Sequence, residues 1–424
     1  MLIEQRSSLK GDISVSGDRS ISHRAIIFGS LAKGTTEIEN LLLDEDCLST
    51  IDCFRRLQVG IEILPGNKVR VNGRGLYGLK APGAPINTGK SGTALRLVLG
   101  VLCGQAFPSA VIREETAMKK PVGGVVKHLR NMGAVITGKD DGNLCPLSVS
   151  PTKLKSASIK LESSETFYKS PLIIAGLYAE GNTVISEEIK SRDHTELMLN
   201  YFGGNVMTDG LEVTCHNVEN LYAQHLAVPG DISAAAYFIT AALLVPHSEL
   251  TIRNVGINPT RAGILEVYKE MGANIQILNE HITGGEKVAD LHISSSGLKA
   301  VKIGSDRLPA MIDEIPVLMI AAALAEGTTE ITGLTGYKVK ESGRLKLLAG
   351  ELAKMGAIVR ETEDGAVVEG GRKLRGTVVE CHNDTAIAMS LAIAGLVAPE
   401  ETTIRKSQVV EASYPSFFSM LNKL

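Results

Sequence analysis

The chain has 424 residues, 44 Lys and Arg against 47 Asp and Glu, and a formal net charge of −3. Its length and its 44% hydrophobic content predict a globular protein with two domains or more. The balanced charge and the 4% aromatic content argue against nucleic-acid binding, so any anion site must be local.

Neither export nor membrane insertion is indicated. The segment MLIEQRSSLK is too polar for a signal peptide, and the longest strongly apolar stretch, near residues 234–246, is too short to span a bilayer. The six cysteines include no CxxC pair, and the nine histidines show no zinc-ligand spacing. We therefore expect a cytoplasmic protein with reduced cysteines, no membrane association and no metal site.

Six apolar helices, each followed by a strand, are predicted along the chain. The phrase SLAKGTTEIEN at residues 30–40 ends the first of them. Its further copies are LCGQAFPSAVIR (102–113), GLYAEGNTVISE (176–187), LLVPHSELTIRN (243–254), AALAEGTTEITG (322–333) and GLVAPEETTIRK (395–406). After most copies a second phrase, such as NMGAVI, LQVGIEI or EMGANI, predicts a helix end, a glycine cap and a strand.

Each repeating unit is a small α/β layer, longer than a solenoid repeat. Six units therefore predict two α/β bodies of three units each. The last unit ends without its closing strand, which the N-terminal LIEQRSSLKGDISVSG can supply. We predict one domain at 18–228 and another formed by 1–17 and 229–424, with a hinge and a cleft between them.

The first predicted helix begins in GDRSISHRAI, residues 17–26. Gly17 supplies a turn, and one of the serines that follow can cap the helix. No acid is obvious as a partner for Arg19 and Arg24, and the natural complement of two guanidinium groups beside a helix N-terminus is a bound anion. An exposed basic helix start is the competing interpretation.

The segment GAPINTGKS, residues 83–91, is similar to a phosphate-binding P-loop. Five residues separate Gly83 from Gly89 where the Walker pattern has four, and Pro85 interrupts the segment. We interpret it as a helix-capping loop in which Gly92 allows a ligand to approach the backbone.

Polar loops precede the other predicted helices, and several of them carry cations. If the three units of a body are equivalent, several helix N-termini converge, each contributing a few tenths to about 1 kcal/mol towards an anion. The cations of these loops are Arg19, Arg24, Lys120, Arg192, Lys340 and Arg344. They predict a strongly anion-binding cleft.

Two helix starts in the C-terminal half carry acidic residues. In MIDEIPVLMIAAALA, capping explains Glu314, whereas Asp313 in a cationic cleft is a candidate base towards a substrate hydroxyl. In VKESGR, the side chains of Lys340, Glu341 and Arg344 share one helix face. A surface ion-pair turn is the alternative to a functional role for these three.

These motifs together resemble those of the enolpyruvyl transferase family, from the first residue to the last. The matching motifs are GDRSISHR, SGTALR, SRDHTE, VPGDISAAA, RNVGINPTR, MIDEIP and VKESGR. The resemblance implies an α/β fold of two domains, each an inside-out α/β barrel of three βαβαββ repeats. The branch acting on UDP-N-acetylglucosamine usually has a cysteine where this chain has REETAMKKP (113–121), so the resemblance favours the shikimate branch.

The reaction implied by the resemblance is transfer of the carboxyvinyl group of phosphoenolpyruvate to the 5-hydroxyl of shikimate 3-phosphate, with release of phosphate. It implies no metal or organic cofactor, and we expect a monomer. Asp313 would accept a proton, while Lys340 and Glu341 would deliver one. The implied substrate-binding residues are Arg19, Ser20, Arg24, Gly92, Lys120, Lys169, Arg192 and Arg344.

The chain departs from the family pattern within this set. Arg19 stands where lysine is usual and Lys120 where arginine is usual, which keeps the charge but changes the hydrogen-bond geometry. Where the family has Ser-Ala-Gln, this chain has Glu165, Thr166 and Phe167. It has Gly343 where the family has aspartate, and Thr385 and Ala386 where the family has His-Arg. A carboxylate at position 165 would repel a substrate phosphate.

Three interpretations of these departures stay open. The chain is a shikimate-branch enzyme with weakened binding of phosphoenolpyruvate and of its mimic glyphosate, a paralogue with a different acceptor, or a non-catalytic ligand-binding homologue. Retention of Asp313 and Lys340 argues against the last, because a binding protein need not keep an acid–base pair.

Overall fold

The structure of the chain is a computed structural model. It describes residues 1–337 and 339–424, and for residues 336 and 339–342 only the course of the backbone. Fifteen helices lie in this described part: α1 (Arg19–Leu31), α2 (Glu45–Arg56), α3 (Gly92–Leu102), α4 (Glu115–Met118), α5 (Gly123–Asn131), α6 (Lys139–Gly142), α7 (Lys169–Gly176), α8 (His194–Tyr201), α9 (Ile232–Leu244), α10 (Gly263–Glu270), α11 (Ile315–Leu324), α12 (Val339–Lys354), α13 (Thr385–Leu396), α14 (Val409–Ser413) and α15 (Phe417–Lys423).

The strands are short, and they alternate with these helices. In chain order they are β1 (Leu2–Ile3), β2 (Lys10–Ser14), β3 (Ala32–Glu39), β4 (Gly60–Leu64), β5 (Lys68–Arg74), β6 (Ile86–Asn87), β7 (Ser109–Ile112), β8 (Val135–Gly138), β9 (Leu144–Ser150), β10 (Ser158–Leu161), β11 (Thr183–Glu187), β12 (Asn205–Asp209), β13 (Glu212–His216), β14 (Leu221–Tyr222), β15 (His225–Ala227), β16 (Glu249–Gly256), β17 (Asn274–Thr283), β18 (Glu286–Ser294), β19 (Lys302–Ile303), β20 (Thr328–Ile331), β21 (Ile358–Glu361), β22 (Ala366–Glu369), β23 (Val378–Glu380) and β24 (Thr402–Arg405).

One repeated sheet pattern confirms the predicted α/β repeat. In the second copy β6 and β7 are parallel, β9 is antiparallel to β7, and β8 is antiparallel to β9. The same neighbour order recurs as β10-β11-β13-β12, β2-β16-β18-β17 and β19-β20-β22-β21. In three of these copies the parallel pair is joined through one apolar helix, as a crossover connection requires, whereas the inserted unit and α9 lie between β2 and β16.

The remaining two copies also borrow strands from elsewhere in the chain, as the sheet of β16 borrows the N-terminal β2. In the first copy β3 pairs with β14 and β15, which follow the third copy. In the sixth copy β1 pairs antiparallel with β24, beside the parallel pair of β23 and β24. The N-terminal segment thus supplies the missing strand, as predicted.

The chain divides into two compact units. The terminal unit contains Met1–Ser16, Gly230–His281 and Lys287–Leu424, and the inserted unit contains Gly17–Pro229 and Ile282–Glu286. The predicted domains differ from these units by one residue at Gly17 and at Pro229, and at 282–286, a hairpin turn that groups with the inserted unit. The predicted cleft between the two bodies stays a prediction.

Central helices form the core of each unit. In the inserted unit α3 packs on α7 and α1, and in the terminal unit α9, α11 and α13 pack on one another. Helix α11 is apolar on all sides, and its residues from Ile315 to Ala323 are buried. A helix without a polar face must be surrounded by protein, which explains its central place. No helix in the described ranges is long and apolar enough to cross a membrane.

Glycine ends most of the second helices, as the repeated phrase predicts. Gly133, Gly203, Gly272 and Gly356 all have φ between 86° and 94°, in the region that favours glycine. The first copy is an exception, because Gln58 with φ of 66° takes this place in LQVGIEI. The prediction of a glycine cap was wrong there.

Candidate active site

The first helix of the inserted unit is capped by an acid. The Asp18 carboxylate accepts a hydrogen bond from the backbone N–H of Ile21 at 2.9 Å, so the predicted serine cap was wrong. The Arg19 guanidinium pairs with Asp44, with Nε and Oδ2 2.6 Å apart. Asp44 also caps α2 by accepting from the Cys47 N–H at 2.8 Å. The expectation that no acid answers Arg19 was therefore wrong.

Arg24 is buried and linked to three helix starts. Its Nη1 donates to the Ser20 carbonyl at 2.8 Å, its Nε to the Thr195 hydroxyl at 2.7 Å and its Nη2 to the Ser170 hydroxyl at 2.7 Å. The Thr195 hydroxyl in turn donates to Ser170 Oγ at 2.8 Å. These bonds fix the guanidinium plane where α1, α7 and α8 begin.

Arg24 lies among charged groups of both signs. Burial lowers the pKa of its guanidinium, and the charge of Arg192 lowers it further, while Glu196, Asp18 and Glu286 raise it. Burial also lowers the pKa of Arg96 to about 10, and Arg113 and Arg24 add to this shift. Burial is the largest effect that lowers both pKa values, and a ligand anion would offset it in addition to the three carboxylates that act on Arg24.

Arg96 is held against an aromatic ring. Its guanidinium carbon lies 5.0 Å from the ring centroid of Phe167, within the range of a cation–π interaction. Ser91 caps α3 by accepting from the Ala94 N–H, which confirms the helix-capping interpretation of this loop. A side-chain carbon on Gly92 would lie 3.0 Å from Arg96 Nη1, so glycine leaves room for the arginine at the start of α3.

Glu165 is engaged by the protein itself. Its Oε1 lies 3.2 Å from His128 Nε2, and its Oε2 accepts from the Glu162 N–H at 3.3 Å. The two glutamates form a capping box at the short 3-10 helix Ser163–Tyr168. These contacts give Glu165 a structural role in addition to the predicted repulsion of phosphate.

Lys120 and Arg19 act on one carboxylate. Burial raises the pKa of Asp46, while the charges of Arg19 and Lys120 lower it. Lys120 itself is exposed. The structure thus brings two of the predicted substrate-binding cations near each other, with Lys120 accessible to a ligand.

Lys169 has a structural role in place of the predicted contact with substrate. Its side chain is 1% exposed, and its Nζ lies 3.0 Å from Glu187 and 2.8 Å from Glu196. Although burial disfavours its charge, the two carboxylates raise the pKa of the ammonium group. We correct this assignment, because a buried and doubly paired lysine cannot reach a ligand from solvent.

The terminal unit contains a cluster of acids around Arg261. The guanidinium lies 2.9 Å from Glu314, 3.5 Å from Asp231 and 3.7 Å from Asp313. Ser233 hydrogen-bonds to both Arg261 and Glu314. Asp313 is 44% exposed, whereas the other three charged side chains are at most 6% exposed. Asp313 is therefore the member of this cluster that a ligand can reach.

The helix-capping role predicted for Glu314 was wrong. Glu314 stands at the N-cap position of α11, yet its side chain makes no cap hydrogen bond. The carboxylate instead holds Arg261 and Ser233. A buried guanidinium needs such partners, and this need outweighs the cap.

A second ion pair of the terminal unit joins α12 to α13. Arg344 Nε lies 2.8 Å from Asp384 Oδ2, and Asp384 also accepts from the N–H groups of Ala386 and Ile387. Burial raises the pKa of the Tyr237 phenol, and the charges of Arg344, Glu314, Asp384 and Asp313 all act on it. The predicted residues Asp313 and Arg344 therefore lie near one ring.

Two of the predicted catalytic residues cannot be placed. The side chains of Lys340 and Glu341 lie outside the described residues, although the backbone of α12 runs through both. Sequence reasoning missed Arg96, Thr195 and Arg261 as site residues. All three belong to motifs at helix starts, which is the signal that could have found them.

Comparison with known proteins covers the whole chain. The model of one family, described as EPSP synthase (3-phosphoshikimate 1-carboxyvinyltransferase), matches residues 3–421. A 3-phosphoshikimate 1-carboxyvinyltransferase from Thermoanaerobacter sp. (strain X514) is 47% identical over 422 residues, which are 100% of this chain and 99% of that protein. One from Geobacillus kaustophilus (strain HTA426) is 45% identical over 99% of this chain and 98% of its own length.

A solved structure gives the same result for the fold. EPSP synthase from Acinetobacter baumannii superposes with a TM-score of 0.93 at 38% identity, covering 100% of this chain and 97% of that one. The predicted fold class is confirmed. With the whole-length family match, these similarities show that the chain belongs to the EPSP synthase family, the 3-phosphoshikimate 1-carboxyvinyltransferases.

Proposed function

We propose that this chain transfers the carboxyvinyl group of phosphoenolpyruvate to the 5-hydroxyl of shikimate 3-phosphate, giving 5-enolpyruvylshikimate 3-phosphate and phosphate. The observation that carries this proposal is the match along the full chain to relatives named for that reaction, at 42–47% identity. The relatives reported above name no other acceptor and no purely binding role.

The chemistry needs a proton acceptor and a proton donor. The hydroxyl oxygen forms a bond to C2 of phosphoenolpyruvate, its own proton leaves, and a proton adds to C3. Phosphate then leaves C2 as one proton leaves C3, which restores the double bond. We assign the first proton to Asp313, because its carboxylate is exposed and is held 3.7 Å from the buried Arg261.

Anion binding is assigned to the inserted unit and to Arg344. Both substrates carry phosphate, and phosphoenolpyruvate also carries a carboxylate, so the site must neutralise several negative charges. The buried guanidinium of Arg24 suits this task, since a ligand anion offsets the effects of burial and of the Arg192 charge on it. We retain as substrate-binding candidates Arg19, Ser20, Arg24, Gly92, Lys120, Arg192 and Arg344, and as proton-delivery candidates Lys340 and Glu341.

We further propose a cytoplasmic monomer that does not bind nucleic acid. All six cysteines are free and buried, as suits a reducing compartment. The net charge of −3 gives no general attraction to nucleic acid. Sedimentation at several protein concentrations tests the monomer, and a mass that rises with concentration would contradict it.

Phosphate release tests the reaction. Phosphoenolpyruvate and shikimate 3-phosphate together should release phosphate, and omitting shikimate 3-phosphate should abolish the release. Calorimetry with each ligand alone distinguishes the other two interpretations. Binding of both ligands without turnover indicates a non-catalytic homologue, and binding of phosphoenolpyruvate alone indicates a different acceptor.

A further inference from the structure

A buried acid–histidine pair lies at the start of α8, next to Thr195, which contacts Arg24. His194 Nδ1 and Glu286 Oε1 are 2.7 Å apart, and the two side chains are only 2% and 1% exposed. His194 is the first residue of α8, whereas Glu286 begins β18, 92 residues later in the chain. The pair has no part in the proposed proton transfers or in the predicted ligand contacts.

A short path of contacts leads from this pair to Arg24. Thr195 follows His194 directly, and its hydroxyl accepts from Arg24 Nε at 2.7 Å and donates to Ser170 at 2.8 Å. The negative charge of Glu286 also acts on Arg24, where it opposes the effect of burial on the pKa of the guanidinium. Glu286 is therefore linked to Arg24 by its contact with the first turn of α8 and by its charge.

The segment that carries Glu286 is seated closely on the inserted unit. The turn Ile282–Glu286 groups with that unit, although the strands on either side of it extend into the terminal unit. A side-chain carbon on Gly285, whose φ is +86°, would lie 2.8 Å from the Leu197 carbonyl oxygen of α8. Gly284 likewise approaches Leu226. Two glycines thus let the turn approach α8 and bring the glutamate to His194.

We propose that Glu286 is a positioning residue for anion binding: through His194 it fixes the first turn of α8, and so fixes Thr195, Arg24 and Ser170. The proposal rests on the proposed function for the identity of the ligands. It extends the site to a segment of the chain that no motif pointed to. The glutamate is expected to affect affinity for the phosphate-bearing substrates without touching them.

A purely structural role predicts a different pattern of effects. A buried pair that only supports the fold can lose a partner at a cost to stability while the remaining native protein binds normally. A positioning residue instead changes affinity in the native protein, because Arg24 loses its fixed geometry. The two roles are therefore separated by measuring binding and unfolding on the same variants.

The test uses Glu286→Ala, Glu286→Gln and the control Glu280→Gln, which changes an exposed glutamate of the same hairpin. At a temperature where all four proteins are folded, Glu286→Ala should raise KM for shikimate 3-phosphate or phosphoenolpyruvate tenfold or more and change kcat less than threefold. Glu286→Gln retains a hydrogen-bond acceptor and should recover part of the loss. Unchanged KM values with a lowered unfolding temperature would overturn the proposal.

A double-mutant cycle with Arg24→Lys makes the test independent of turnover. Calorimetric Kd values for phosphoenolpyruvate and shikimate 3-phosphate are measured for the wild type, both single variants and the double variant. If Glu286 acts through Arg24, the double variant should be less impaired than the product of the single effects predicts. Independent effects that multiply would contradict the proposal. A wild type that binds both ligands without releasing phosphate would reject the proposed function alone, and the cycle would still decide the role of Glu286.

Discussion

The two units of the chain hold the arginines of the candidate site in different ways. In the inserted unit, Arg24 is bound by two hydroxyls and a backbone carbonyl, and Arg96 faces an aromatic ring. In the terminal unit, Arg261 and Arg344 pair directly with carboxylates at 2.9 Å and 2.8 Å. Neutral hydrogen-bond partners leave more of a guanidinium's positive charge available to a ligand than a directly paired carboxylate does.

This difference indicates a division of chemical tasks. A buried guanidinium whose direct hydrogen-bond partners are neutral is stabilised by a nearby anion, so we expect the inserted unit to bind negative charge. The paired arginines of the terminal unit orient acids, and one of these, Asp313, is exposed. We expect substitutions in the inserted unit to change affinity and those around Asp313 to change the rate of the chemical step.

Replacing Asp313 by asparagine is expected to have the largest effect. The amide cannot accept a proton, so kcat should fall about 10²- to 10⁴-fold, the usual contribution of a general base. Calorimetric Kd values for both substrates should change less than threefold. Asp306→Asn, which alters an exposed carboxylate in the preceding loop, is the control. Loss of binding with retained kcat would reverse the roles that we assign to the two units.

The opposite pattern is expected for Arg24→Lys in the inserted unit. Lysine keeps the charge but cannot satisfy Ser20, Thr195 and Ser170 together. Losing a buried, hydrogen-bonded charge contact costs about 2–5 kcal/mol, which weakens substrate binding roughly 30- to several-thousand-fold. Arg56→Lys, an exchange at an exposed arginine of the same unit, should leave Kd unchanged. Equal affinities for wild type and Arg24→Lys would show that the inserted unit does not bind the substrates through Arg24.

The environment of α1 also predicts a pH dependence of stability. Burial lowers the pKa of His23 from 6.5 to about 4, with further lowering by Arg19 and Arg24, while Asp44 and Asp18 act in the opposite direction. The unfolded chain binds a proton at His23 more readily than the folded chain does. The contribution of the neutral, buried imidazole to stability is therefore fully present above pH 6.5. It is lost as the pH falls towards 4.

The measurement is the free energy of unfolding of wild type and His23→Gln across this range. From pH 7 to pH 4 the wild type should lose about 3 kcal/mol more than the variant, since each pKa unit corresponds to about 1.36 kcal/mol. His23 Nδ1 lies 2.7 Å from the Thr50 hydroxyl, and glutamine offers a neutral group for that contact. Parallel pH curves for the two proteins would show that His23 titrates normally.

The repeat and the helix starts could be predicted because their signals are local. Apolar periodicity and the repeated GTTEI-like phrase lie within single units, and their copies fold into sheets of the same strand order. The ends of the second helices were also predicted from a local signal, the glycine that follows each of them. Gln58 is the exception, because it adopts the conformation expected of glycine. The borrowed strand β1 was predictable because the last unit was visibly incomplete.

The partners of the charged residues were not predictable. Asp44, at the N-cap of α2, lies 25 residues from Arg19, and Glu187, in β11, lies 18 residues from Lys169. Nothing local in the sequence distinguishes a lysine that binds substrate from one that neutralises two buried acids. Glu286 was missed for the same reason, because it lies in the fourth copy of the repeat and its partner His194 lies in the third.

The smallest expected effect concerns two positions that differ from the family pattern, one in each unit. Lys120 is exposed near Asp46, and Ala386 is half-buried in the first turn of α13, beside the Arg344–Asp384 pair. Arginine at either position would offer a planar fork to a carboxylate or phosphate in place of a point charge or a methyl group.

We expect the double variant Lys120→Arg with Ala386→Arg to bind phosphoenolpyruvate and glyphosate tenfold or more tightly, about 1.4 kcal/mol or more. Calorimetry on each single variant shows how the gain divides between the units. Ala386→Lys is the matched control, because it adds charge without the fork and should tighten binding less than Ala386→Arg. If the double variant binds no better than the wild type, the departures at these positions do not weaken the site. The neutral-partner arrangement around Arg24 would then be sufficient for anion binding.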